Sequence, residues 1–153
     1  MTEEKAIAFW EKYKNNFSPV VILHTKHNLL FLDPKPLFNC TPEERHIISA
    51  SISEDVVKKL GEPLEKVFLL SEAWQSIPDK DSKEFIMPSK DPKRQEILLI
   101  HSKDKNQKMQ AIVIPIYKKG TERMLDLENK MYLKEGLTHI LDAFFAGSSA
   151  AIN

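Results

Sequence analysis

Cysteine is almost absent from this chain of 153 residues, in which Cys40 stands alone. One thiol allows neither an intramolecular disulfide nor a cysteine-built zinc site, and it suits a reducing compartment. Glycine is nearly as scarce, with four residues in all. They form no phosphate-cradling loop, dinucleotide fingerprint or G-x-S-x-G elbow, so ATP, NAD and serine-hydrolase chemistry lack sequence support. Net charge is missing too, because 22 Lys and Arg offset 22 Asp and Glu. That removes the overall electrostatic pull towards nucleic acid or an anionic membrane. Charges interrupt every apolar stretch well short of the roughly 20 residues a membrane helix needs. The start, Met1-Thr2-Glu3-Glu4-Lys5, is acidic where a secretory signal is basic. The expectation is a cytoplasmic protein with no membrane partner.

What is present is globular in character. Hydrophobic residues at 42% suffice for a core without metal or disulfide. One domain over residues 1–153 accounts for the length. Residues 2–15 read as a helix capped by Thr2, with Ile7, Trp10, Tyr13 and Phe17 as its apolar stripe. Two aliphatic runs, 20–23 and 29–32, flank a polar centre and read as a hairpin covered on both faces. Thr41-Pro42-Glu43-Glu44 opens a second helix with Ile48, Ile52, Val56 and Leu60 on one face and Gly61 as its stop. The serines of 49–53 offer an alternative break into two helices. A strand over 67–70 runs into Ser71-Glu72-Ala73-Trp74, and a polar, proline-bearing loop over 78–93 follows. Runs 97–100 and 111–114 form a second hairpin, with Pro115 suggesting an edge or a bulge. Residues 123–127 add a short strand. Leu133, Leu137, Ile140, Leu141 and Phe144 share a face of a last helix that Gly147 ends, leaving a frayed tail over 148–153. The sum is an α+β fold, a mainly antiparallel sheet of five or six strands with about three helices packed on it.

Candidate chemistry is sparse. His24 and His27 have H-x-x-H spacing but sit at a hairpin tip, and their partners would have to come from His46, His101 or His139; surface histidines are the better reading, with no metal site. Pro78-Asp79 and Asp91-Pro92-Lys93 imitate the spelling of metal-dependent nucleases, yet both halves fall in one proline-rich loop. Cys40 reads as a small filler before the helix cap rather than a nucleophile. No cofactor is implied. The least ordinary residues are Glu72, Trp74, Arg94 and Glu96. Glu72 ends an apolar run and needs a partner if buried; Arg94, where the chain returns, offers a two-pronged guanidinium, and Trp74 can stack on it. Such a pair serves structure more often than catalysis.

The segment has a further property. A strand ending in Ser71-Glu72-Ala73-Trp74, then Pro88-Ser89, Asp91-Pro92, Arg94 and Glu96 before a hydrophobic strand, resembles a group of small uncharacterised bacterial and phage proteins. The resemblance covers about a quarter of the chain. Those relatives often carry Met after the tryptophan, where Gln75 stands here. The group has no established activity, so the resemblance implies no catalytic residue.

Three functional readings follow. The first is a non-enzymatic interaction or accessory module, acting on a protein partner or by self-association as a homo-oligomer. The second is a small carboxylate-based hydrolase with its site near Glu72 and Glu96. The third is a nucleic-acid accessory protein using residues 80–108, where eight Lys and Arg against five acids leave an excess of only three. So small an excess argues against nucleic acid.

Overall fold

A computed structural model describes residues 2–75, 94–133 and 141–152. It is an α+β fold. In chain order the elements are α1 (Glu3–Tyr13), β1 (Val20–Thr25), β2 (Leu29–Leu32), the single turn α2 (Lys35–Phe38), α3 (Pro42–Leu60), β3 (Leu64–Gln75), β4 (Gln95–Asp104), β5 (Met109–Lys119), β6 (Glu122–Leu125), β7 (Met131–Leu133) and α4 (Asp142–Ile152). The seven strands form one antiparallel sheet in the order β2-β1-β3-β4-β5-β6, and β7 also pairs with β5.

The sheet is buried on two faces, so its central strands are continuously apolar rather than alternating. On one face Trp10 of α1 packs with Ile22, Phe68, Leu70, Leu98, Ile100 and Ile114. On the other, α3 and α4 pack on Val21, Leu23, Val67 and Leu69. Edge strand β2 departs from the expected two-sided cover: Leu30 and Leu32 are half-buried while Leu29 and Phe31 are exposed.

Local signals set the helix ends. Thr2 Oγ1 accepts from Lys5 N at 3.3 Å, and Thr41 Oγ1 accepts from Glu44 N at 3.2 Å. Gly61 closes α3 with a left-handed φ of 68°, a conformation that costs glycine nothing. The serine-rich centre of α3 does not split it. Its most buried line is Ser49, Ser53 and Val57, one position beyond the expected Ile48, Ile52 and Val56, which are half-buried. In α1, Tyr13 is likewise exposed, and Ala6 joins Trp10 at the buried centre.

The C-terminal region corrects the sequence reading. Leu133 belongs to β7, and α4 starts at Asp142; Leu137 and Ile140 lie outside the described residues. Gly147 does not end the helix but lies within it. A Cβ there would sit 2.0 Å from the Ala50 carbonyl oxygen, so glycine is required by the close crossing of α4 over α3. The expected frayed tail is helical as far as Ile152, because Ser148 is buried and its Oγ accepts from Leu64 N at 3.0 Å. Pro115 is also not at an edge. It is the last β5 residue paired with β4, opposite Ile97, and β6 pairing begins at Ile116. Its carbonyl accepts from Asp126 N at 2.8 Å.

Candidate functional site

Alternation along β3 and β4 aims Glu72, Trp74 and Glu96 at the face that α1 covers, as Phe68, Leu70, Leu98 and Ile100 are aimed. Register puts Trp74 opposite Glu96 and Glu72 opposite Leu98, so the two carboxylates are diagonal neighbours. Beyond β5, β6 carries Arg123 opposite Lys118. Its side chain reaches both carboxylates.

Arg123 Nη2 donates to Glu72 Oε2 at 2.9 Å and pairs with Glu96 Oε1. Its Nη1 donates to the carbonyl of Lys14 at 2.7 Å, just past the end of α1, where a cation also suits the helix dipole. Trp10 Nε1 donates to Glu72 Oε1 at 2.9 Å. Both oxygens of Glu72 are therefore engaged, one by an indole and one by a guanidinium. The ion pairs are four-fifths buried, with 20–24% of each side chain exposed.

This arrangement replaces the expected partnership. Glu72 is held by Arg123 and Trp10, which lie 51 and 62 residues away, where Arg94 was the expected partner. Arg94 instead lies over the Trp74 ring, 4.2 Å from its centroid, the stacking contact the sequence suggested. Arg123 had no signal of its own, since it opens a short strand of mixed character. Trp10 read only as core, although an indole N–H on a buried helix face requires an acceptor.

Trp74, Arg94 and Glu96 line a cavity of about 240 Å³ together with Gln95, Ile116, Lys118 and Arg123. Gln95 Nε2 is spent on the carbonyls of Ile116 at 2.7 Å and Glu96 at 3.1 Å. Among the described residues the lining offers no Ser, Cys, His or Tyr.

The other candidates are scattered. His27 is exposed and its Nδ1 lies 3.2 Å from Glu62, whose carboxyl is held below its usual range chiefly by the His27 backbone N–H. His24 is half-buried, and desolvation lowers its pKa. His46 is exposed on α3, and His139 lies outside the described residues. His101 departs from a surface reading. It sits on the α3/α4 face of β4, its Nδ1 is buried without a hydrogen-bond partner, and burial pushes its pKa down. Cys40 is half-buried and its Sγ–H points to the Leu37 carbonyl at 3.5 Å. No three metal-binding side chains cluster among the described residues. Residues 76–93, with Asp79 and Asp91 among them, lie outside the described residues. No family model, curated protein or solved structure matches the chain.

Proposed function

We propose that the protein is a non-enzymatic interaction module, acting through a protein partner or through self-association. The observation that supports this reading is the engagement of Glu72 and Glu96 by a single guanidinium, with Trp10 on the remaining oxygen of Glu72. A carboxylate acting as acid, base or nucleophile must be free to meet a substrate, whereas both oxygens of Glu72 are bonded and Glu96 is paired with the same guanidinium. At the cavity mouth stands Trp74, 41% exposed and stacked by Arg94. Trp and Arg are the residues most enriched at binding hot spots. No described helix is long and apolar enough to cross a membrane. The reading includes a cytoplasmic location, which the single cysteine supports, and zero net charge argues against nucleic acid as the partner.

The test is turnover. The full chain is assayed on simple carboxylic and phosphoric esters with and without Mg²⁺ or Mn²⁺, beside Glu72→Gln and Glu96→Gln. The module reading expects wild type and variants to be indistinguishable from buffer. Hydrolysis that either substitution abolishes, in variants that remain folded, would overturn it in favour of a carboxylate hydrolase.

A further inference from the structure

We infer that the open edge of β2 is a self-pairing interface, joining two copies of this chain through one continuous antiparallel sheet. The inference rests on the module reading and names its partner, a second copy. Among the described residues β2 ends the sheet and pairs only with β1. Its four residues, Leu29-Leu30-Phe31-Leu32, carry no charge and no proline. Natural edges are usually blunted by such residues, and an unblunted apolar edge is a template for another strand. The opposite edge is guarded in that way, by Glu122 and Arg123 on β6 and by Lys130 ahead of β7.

The ladder specifies which backbone groups are available. Thr25 N donates to the Asn28 carbonyl at 3.0 Å and closes the hairpin. Alternation then turns the amides of Leu30 and Leu32 towards β1 and those of Leu29 and Phe31 outward. A two-fold axis normal to the sheet preserves its faces, so directly opposed residues must share a face. The register centred on Leu30 meets both conditions. Leu29 of each copy meets Phe31 of the other in a hydrogen-bonded pair, twice, giving four backbone bonds.

Side chains on the α1 face agree with that geometry. Phe31 is 51% exposed and stacks on Phe9, with ring centroids 5.2 Å apart, and Leu29 is 40% exposed. The pairing lays each Leu29 against the other copy's Phe31. Charge agrees too. The same register sets the exposed Asp33 of each copy near the exposed Lys26 of the other, the neighbouring His27 being held by Glu62 of its own copy. A strand with a basic start and an acidic end complements itself only when antiparallel.

Sedimentation equilibrium of the full chain over a wide concentration range tests the inference. A reversible dimer is expected, reduced at least tenfold in association constant by Leu29→Lys with Phe31→Lys. Phe31→Pro should do the same, because the amide it removes faces outward; circular dichroism of each variant confirms that the fold is intact. In a Cys40→Ser background, Leu30→Cys should form an intermolecular disulfide faster than Leu32→Cys, since only position 30 opposes itself. A chain that is monomeric throughout leaves the edge to a foreign strand and overturns self-pairing, while leaving the turnover result to decide the module reading. A dimer that survives the double lysine substitution, or that cross-links preferentially through position 32, also overturns it.

Discussion

Trp10 donates its indole N–H to Glu72 at 2.9 Å, tying the buried centre of α1 to the far half of β3. Trp10→Phe keeps most of the ring and removes only the donor, leaving Glu72 with Arg123 alone. A hydrogen bond to a charged group contributes about 1.5–3 kcal/mol. Urea unfolding of Trp10→Phe, Glu72→Gln and the double variant should show a coupling of at least about 1 kcal/mol. Additive effects would mean that the contact contributes nothing to stability.

Arg123→Met should be strongly destabilising, since it leaves two carboxylates without their shared cation. Breaking a buried pair costs about 3–5 kcal/mol, and the 20–24% exposure of these side chains favours the lower end. Adding Glu72→Gln and Glu96→Gln to Arg123→Met should recover part of the loss. Denaturant midpoints across the set measure it, and no recovery would show that the three groups do not act together.

Gly147→Ala isolates the close crossing of α3 and α4. Alanine is the better helix former by about 1 kcal/mol, so local propensity predicts stabilisation. The clash with the Ala50 carbonyl predicts the reverse. Overpacking costs about 1–3 kcal/mol, and a lowered urea midpoint is the expected result. Gly147→Ala with Ala50→Gly should not rescue it, because the obstacle is backbone.

Ser148→Ala removes the acceptor of the Leu64 amide and leaves a buried N–H without a partner. The expected loss is about 1–3 kcal/mol. Amide exchange at Leu64 should accelerate by the same factor as global unfolding or more. Unchanged exchange would show that this bond does not anchor α4.

His101 gives a pH dependence of defined sign. Its folded pKa lies below the ordinary imidazole value of 6.5 because burial disfavours the cation. The unfolded chain therefore binds the proton first, and stability falls as pH drops through about 6.5 towards the folded value. Above that window the contribution of the neutral ring is complete. His24 is lowered for the same reason and contributes with the same sign. Thermal unfolding between pH 7.5 and 5 should show a shallower decline in His101→Gln than in wild type, and parallel curves would exclude the assignment.

By itself the sequence determined what depends on neighbours along the chain. The caps at Thr2 and Thr41, the left-handed stop at Gly61 and both hairpins are short-range consequences of side-chain oxygens, glycine freedom and turn polarity. The antiparallel α+β class follows from the order of those elements. Tertiary structure alone decided what depends on distant surfaces. Gly147 reads locally as a helix end, yet the approach of Ala50 makes it a crossing point. The buried line of α3 moved to Ser49 and Ser53 because a helix that close admits small side chains and excludes isoleucine. Glu72 announced its need for a partner by ending an apolar strand, but not which partner. Arg94 is the nearer arginine in sequence, while strand order and the path of β5 bring Arg123 to the carboxylate and leave Arg94 on Trp74. A charge at a strand end states a requirement, and only the register of the whole sheet selects the residue that meets it.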